Sequence, residues 1–228
     1  MQRMLDVIFS GIALMLLSPL LLPIALLLRM TGEGEILFLQ ERVGKDGKPF
    51  KLYKFATMLK NSPNIGTGTV TVKNDPRVLP MGHFLRKTKI NELPQLLNIL
   101  LGSMSVVGPR PQAQKNFNAF PPEMQKLITQ VKPGLSGVGS IIFRREEEIL
   151  ADHADSIDFY EKVITPYKGE IEAWYINNQT LSTYFSVIFS TIWVVIFPSS
   201  SLVWQVFKNL PTPPDALKKS LNYSKPVA

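Results

Sequence analysis

The stretch Arg86–Pro111 reads Arg-Lys-Thr-Lys-Ile-Asn-Glu-Leu-Pro-Gln-Leu-Leu-Asn-Ile-Leu-Leu-Gly-Ser-Met-Ser-Val-Val-Gly-Pro-Arg-Pro. It opens with three cations in four residues, and a single carboxylate, Glu92, follows them. Leucines at helical spacing come next, and the stretch ends in a stiff turn, Gly108-Pro109-Arg110-Pro111. Basic groups at both ends with an acid between them suit an anionic substrate.

Local structure gives a second interpretation of the centre of this stretch. Asparagine is a good helix N-cap, and an acid and a proline are both favoured in the first turn, so Asn91, Glu92 and Pro94 also predict a helix start. Pro109 and Pro111 fix two φ angles around Arg110. A stiff loop around a guanidinium indicates bidentate binding of a phosphate.

The composition agrees with an anionic partner. The 228 residues carry a net charge of +7, and 45% of them are apolar while only 19% are charged. Such a balance favours nucleic acid, a phospholipid surface or a phosphorylated substrate. The chain has no cysteine, which excludes disulfides and thiolate metal sites. It shows no nucleic-acid-binding motif, and we expect no nucleic-acid partner.

The N-terminal segment predicts a membrane helix. No charged residue occurs from Val7 to Leu28, which is long enough to span a bilayer and too long for the apolar part of a signal peptide. Pro19 and Pro23 predict a kink, and Ser18 has a hydroxyl that can satisfy a carbonyl freed by proline. A kinked helix either crosses the membrane or turns back to the face it entered.

The remaining patterns predict a small hairpin and further helices. Apolar residues at 36–39, the turn signal Asp46-Gly47 and the alternating residues 50–55 predict a β-hairpin with a basic face. The uncharged run Leu181–Phe197 predicts an interfacial or buried helix. The acidic run Glu146–Glu148 predicts a solvated helix face, and the tail after Asn209 is expected to be loosely held.

Several motifs at fixed spacing resemble one enzyme family, the bacterial sugar transferases of the monotopic phosphoglycosyl transferase type. The resemblance runs from Arg3 to about Val195. The matching residues are Leu93-Pro94-Gln95-Leu96, Asn98, Gly102, Met104-Ser105, Val107-Gly108-Pro109-Arg110-Pro111, Gln40-Glu41-Arg42-Val43-Gly44, Gly47, Lys54-Phe55, Asp75-Pro76-Arg77 and Lys132-Pro133-Gly134-Leu135-Ser136-Gly137.

The resemblance implies an α+β, mainly helical fold. It predicts a re-entrant membrane helix-hairpin over 1–30, a catalytic domain with interfacial helices and a small β-hairpin over 31–197, and a C-terminal tail over 198–228. It also implies an activity. The family transfers a sugar phosphate from a UDP-sugar to undecaprenyl phosphate, with Mg²⁺, and releases UMP. We therefore expect a location on the cytoplasmic face of the bacterial inner membrane, in contact with membrane lipids, as the first membrane step of surface glycan synthesis. Homodimerisation stays open.

The site residues follow from the same motifs. The resemblance assigns Arg86, Arg110 and Arg144 to phosphate charge, with Arg145 as a further candidate for the diphosphate. It also assigns Lys54 and Pro111 to substrate binding. The glycine-rich loop Lys132–Gly139 is expected to present backbone N–H groups to a phosphate. Glu172 aligns roughly with an acidic position of the family.

Asn91 departs from the family, which usually has aspartate as its nucleophile and metal neighbour at this position. An amide is a very poor nucleophile. Glu92 is then the nucleophile, or the general base for direct attack by the lipid phosphate. Alternatively, Asn91 is an engineered substitution that stalls the reaction, or the chain is an inactive homologue that binds without turnover. Ala56, where the family commonly has arginine, is a second departure.

Overall fold

The computed structural model describes residues 1–65, 75–151 and 155–224. This part is mostly helical with two small two-stranded sheets, which confirms the predicted α+β class. The helices are α1 Gln2–Met30, α2 Pro80–Lys87, α3 Gln95–Leu101, α4 Gln114–Phe117, α5 Pro122–Ile128, α6 Val138–Ile142, α7 Glu146–Ala151, α8 Ser156–Phe159, α9 Thr165–Asn177, α10 Leu181–Ile196, α11 Val203–Val206 and α12 Asp215–Lys218. The strands are β1 Leu37–Val43, β2 Pro49–Phe55, β3 Ser105–Val107 and β4 Gly134–Ser136.

Helix α1 is continuous through both of its prolines. Pro19 has no N–H for the Met15 carbonyl, and the Ser18 hydroxyl donates to that carbonyl at 2.8 Å. The hydrogen bond expected of Ser18 is therefore present, and the helix does not separate into two. Among the described residues, α1 is the one helix that is long and apolar enough to cross a membrane.

The chain divides into two compact units. The first comprises residues 1, 3–41 and 50–104, and the second comprises residue 2, 42–49 and the chain from 105 onward. The core of the first unit contains Ile24 and Leu28 of α1, Phe55 of β2 and Leu85 of α2. The C-terminal half of α1 is therefore part of this core, whereas Met15 and Leu16 near its middle are 74% and 72% exposed.

The predicted β-hairpin is formed by β1 and β2. Asp46 and Gly47 have φ of 57° and 71° at its tip, the left-handed conformation that tight hairpin turns require. The tip belongs to the second unit, where the Val43 N–H donates to the Gln112 carbonyl at 2.9 Å.

The second unit has β3 and β4 as a short parallel pair, with Ser105 opposite Gly134 and Val107 opposite Ser136. Its hydrophobic core includes Val43, Phe117, Phe120 and Ile128. Helix α9 packs against α5 and α6. Helix α10 confirms the helix predicted near residues 181–197 and leaves a stripe of apolar side chains exposed, which includes Phe185, Phe189, Ile192 and Ile196.

The chain after Pro198 is held more firmly than its composition indicated. Trp204 and Leu217 are almost fully buried. The Trp204 indole N–H donates to the Leu221 carbonyl, and the Tyr167 hydroxyl donates to the Pro211 carbonyl. The expectation of a loose tail is thus wrong for the described residues up to 224, because widely spaced apolar side chains anchor the segment.

Candidate active site

The predicted site residues fall into both units. Lys54, Arg86, Asn91 and Glu92 belong to the first unit, whereas Arg110, Pro111 and Arg144 belong to the second. Arg86 lies half-buried in the last turn of α2.

Asn91 and Glu92 lie in a 3-10 turn, Ile90–Glu92, between α2 and α3. This turn follows Lys89, which adopts a left-handed conformation with φ of 59°. Asn91 does not cap α3 as predicted, because the residue at the N-cap is Pro94. The Asn91 side chain is buried, and its Oδ1 has no hydrogen-bond partner among the described residues. Buried polar atoms are nearly always hydrogen-bonded, so a buried amide oxygen without a partner indicates a binding position for a polar ligand.

Glu92 forms an ion pair with Lys54. The Lys54 Nζ donates to Glu92 Oε1 at 3.1 Å, and both side chains are mostly buried. The structure therefore brings together two of the predicted site residues, one from β2 and one from the turn before α3. As a carboxylate, Glu92 has the oxygen nucleophile or the proton acceptor that the predicted chemistry needs.

The amide of Asn98 fixes α3 against β2. Its Oδ1 accepts the Tyr53 N–H at 2.9 Å, and its Nδ2 donates to the Lys51 carbonyl at 2.8 Å. Nδ2 also donates to the Ser103 hydroxyl at 3.1 Å. The Asn98 amide thus forms the two hydrogen bonds with the edge of β2 that a neighbouring strand would form. Lys54 follows Tyr53 directly in β2, so this contact also fixes the strand beside Lys54. The resemblance identified Asn98 as a motif residue but gave it no role.

In the second unit, the Gly-Pro-Arg-Pro turn is built against the glycine-rich loop. The Gly108 N–H donates to the Ser136 carbonyl at 2.9 Å, and the Gly134 N–H donates to the Pro109 carbonyl at 2.8 Å. A Cβ added at Gly134 would lie 2.1 Å from the Gly108 nitrogen. Position 134 therefore requires glycine, because the two backbones lie so close together. The Gly134 N–H is used in a hydrogen bond to the Gly-Pro-Arg-Pro turn. Arg110 is exposed, while Pro111 is buried.

The Arg144 guanidinium is directed at backbone carbonyls. Its Nε donates to Pro198 at 2.9 Å, its Nη1 to Ile141 at 3.0 Å, and its Nη2 to Pro198 and Ser200. Burial, and then the neighbouring charge of Arg145, lower the pKa of Arg144. These contacts join α6 to the segment after α10. The role of Arg144 in diphosphate binding stays a prediction.

Two acidic residues have contacts that their positions in the sequence did not reveal. Glu146 belongs to the run predicted to be solvated, yet both of its oxygens accept from the Lys168 Nζ at 2.6 Å. Lys168 is 8% exposed and also lies over the rings of Phe143 and Tyr160. Burial lowers the pKa of Lys168, and Glu146 opposes that change. A partner 22 residues away gives no periodic signal in the sequence.

Glu172 is the second of these residues. It is buried on α9, four residues after Lys168, and its carboxyl accepts the backbone N–H of Arg110. Burial raises the pKa of Glu172 to about 7. The weak alignment to an acidic family position was the one sequence signal for this residue.

Asn91 has an oxygen atom that could serve the predicted Mg²⁺. Among the described residues, no group of three or more His, Cys, Asp or Glu side chains is placed to hold a metal ion. Mg²⁺ commonly takes one or two protein oxygens and fills its other positions with water and substrate phosphate. The unpartnered Oδ1 of Asn91 is a suitable oxygen donor of this kind.

Comparison with known proteins identifies relatives over most of the chain. Residues 1–198 match the family model described as bacterial sugar transferase. The chain is 38% identical over 195 residues to a UDP-glucose:undecaprenyl-phosphate glucose-1-phosphate transferase of Klebsiella pneumoniae, covering 84% of this chain and 39% of the relative. It is 34% identical over 197 residues to a UDP-N-acetylgalactosamine-undecaprenyl-phosphate N-acetylgalactosaminephosphotransferase of Aeromonas hydrophila, covering 86% and 43%. The chain thus spans about two fifths of the length of these relatives.

Proposed function

The chain belongs to the bacterial sugar transferase family, and we propose that it transfers a sugar phosphate from a UDP-sugar to undecaprenyl phosphate, with release of UMP. The observation that carries the proposal is the Glu92 carboxylate held by Lys54 in the turn that also contains the buried Asn91. Relatives whose names state this class of reaction support it.

The chemistry assigned to Glu92 begins with a carboxylate oxygen of its side chain. That oxygen attacks the phosphorus that bears the sugar, and the bond from this phosphorus to the bridging oxygen of UMP breaks. The phosphate oxygen of the lipid then attacks the same phosphorus and displaces Glu92, which regenerates the carboxylate. Because phosphoryl transfer depends on position and charge, Lys54 serves by fixing the carboxylate.

In the second form of the reaction, Glu92 acts as a general base. It accepts the proton of the lipid phosphate, whose oxygen attacks the sugar-bearing phosphorus directly. Both forms give the same products. They differ in the absence of lipid acceptor, where the nucleophile form releases one equivalent of UMP and retains the phosphosugar on Glu92.

Mg²⁺, when bound at Asn91, would neutralise diphosphate charge. The exposed Arg110 is proposed to bind a substrate phosphate, since its guanidinium extends from a turn fixed by two prolines.

Membrane association on the cytoplasmic face is part of the proposal, because the lipid acceptor keeps its phosphate at headgroup level. Both ends of α1 contact other segments of the first unit. The Arg3 guanidinium donates to the Leu100 carbonyl at 2.8 Å, while Ile24 and Leu28 lie in the core. We propose that α1 bends at Pro19 and Pro23, as the sequence predicts, so that its exposed middle enters the lipid while both ends stay on one face. The exposed apolar face of α10 supports an interfacial position for that helix.

A second function is favoured by the amide at Asn91. A chain without the family's aspartate is proposed to bind UDP-sugar or lipid phosphate without turnover. The experiment incubates the purified chain with undecaprenyl phosphate, Mg²⁺ and a panel of UDP-sugars, and measures UMP. Release of UMP supports the transferase. No release with any sugar, together with release by Asn91→Asp, supports the binding function.

A further inference from the structure

Glu172 is a buried carboxyl that the proposed chemistry does not use. It is 6% exposed, and its Oε2 has no hydrogen-bond partner among the described residues. A carboxyl that is buried and incompletely paired is costly to keep in a core. The rise of its pKa to about 7, caused by burial, reflects that cost. A stabilising role alone does not account for such a group.

The carboxyl contacts the backbone of the Gly-Pro-Arg-Pro turn. It accepts the N–H of Arg110, the residue between Pro109 and Pro111. Because proline has no N–H, Arg110 supplies the single backbone donor of these three residues. The pairing of β3 with β4 holds the start of the turn through Gly108 and Pro109, and Glu172 holds the residue that follows.

A missing side chain on α6 makes room for the carboxyl. A Cβ added at Gly139 would lie 2.4 Å from Glu172 Oε1, which is too close for the present position of the carboxyl. The φ angle of Gly139 lies outside the left-handed region, so its backbone conformation does not require glycine. The space beside Glu172 therefore accounts for glycine at position 139.

We propose that Glu172 is a positioning residue, which fixes the backbone of Arg110 through the space left by Gly139 and so directs the Arg110 guanidinium at a substrate phosphate. The inference rests on the proposed role of Arg110 in phosphate binding. Lys168, one helical turn earlier and paired with Glu146, places a cation near this carboxyl. Glu172 acts on Arg110 through its backbone N–H and not through its guanidinium.

The experiment uses the full chain in lipid nanodiscs and two readouts. Hydrogen exchange is followed in fragments covering Pro109–Pro111, where Arg110 has the one exchangeable backbone N–H. UDP affinity is measured by calorimetry. Glu172→Ala removes the acceptor, and Gly139→Ala displaces it without removing any group. Glu172→Gln keeps an acceptor at the same position. Glu170→Ala, at an exposed position of the same helix, is the matched control for Glu172→Ala. Gly11→Ala is the matched control for Gly139→Ala, because a Cβ added at Gly11 would meet nothing within 4 Å.

We expect Glu172→Ala and Gly139→Ala each to speed exchange at Arg110 and to raise the Kd for UDP, both about tenfold. Glu172→Gln and the two controls should stay within about twofold of the parent chain. Unchanged exchange in Gly139→Ala would overturn the inference even if Glu172→Ala fails to fold. Faster exchange without loss of UDP affinity would also overturn it.

The two proposals fail in different ways. A parent chain that binds UDP but releases no UMP from any UDP-sugar would end the proposed transfer and leave the role of Glu172 intact. A parent chain that does not bind UDP would overturn the phosphate-directing role, even if exchange showed that Glu172 holds Arg110.

Discussion

Lys54 Nζ lies 3.1 Å from Glu92 Oε1, and this contact joins β2 to the turn before α3. The two side chains are 18% and 20% exposed, so the ion pair is mostly buried. Ion pairs at this depth are worth more than exposed ones, and their loss leaves a charge without its partner. The pair is therefore the first target for mutation.

Replacing Lys54 by methionine should lower kcat for UMP release by about ten- to hundredfold, because a hydrogen bond to a charged group contributes about 1.5–3 kcal/mol. Glu92→Gln should abolish turnover in either form of the reaction. Lys51→Met, at an exposed position of the same strand, is the control and should retain activity. Normal turnover by Glu92→Gln would exclude Glu92 as the reacting acid.

Replacing Asn98 by aspartate should destabilise the chain by about 1–3 kcal/mol, because the Lys51 carbonyl would face a second acceptor in place of its donor. The measurement is thermal unfolding in detergent, followed by kcat for UMP release. Asn116→Asp, at an exposed position, is the matched control. If both variants unfold at the same temperature, the Asn98 amide does not hold β2 against α3.

Local patterns predicted the elements of the fold better than they predicted the contacts of the site. The hairpin turn at Asp46-Gly47 and the hydroxyl of Ser18 were predictable because the partners lie within a few residues. Asn91 was wrongly predicted as an N-cap, since the 3-10 turn extends the chain to Pro94 before α3 begins. The partner of Arg144 is 54 residues away, beyond any local pattern. The family resemblance supplied the identity of site residues that periodicity does not reveal.

Replacing Arg144 by alanine should loosen the segment after Pro198, because three nitrogens of the guanidinium donate to backbone carbonyls. We expect a loss of about 2 kcal/mol in unfolding free energy and faster proteolysis after residue 198. Arg145→Ala is the control, since Arg145 forms an exposed pair with Glu148, and exposed pairs contribute little to stability. A tenfold rise in the Kd for UDP with unchanged stability would instead support the predicted diphosphate role.

The pH dependence of stability should include a contribution from Glu172. Its pKa is about 7 in the folded chain against a model-peptide value of 4.5, so the folded state holds a proton there that the unfolded state has released between these values. The unfolding free energy attributable to this group should therefore fall as pH rises from about 4.5 to about 7, by about 3 kcal/mol in total. The Arg110 N–H and the charge of Lys168 on the same helix both lower the pKa of Glu172, against the larger rise caused by burial. The value of about 7 already includes them.

Glu172→Gln should remove this slope, because glutamine does not titrate. Chemical unfolding at intervals from pH 4 to 8 should show the variant gaining stability over the parent chain as pH rises, with the largest gain above pH 7. Exposed Glu170→Gln, two residues earlier on α9, should leave the slope unchanged. Parallel stability curves for the parent and Glu172→Gln would show that the Glu172 carboxyl ionises freely in the folded chain, and that its buried position costs little.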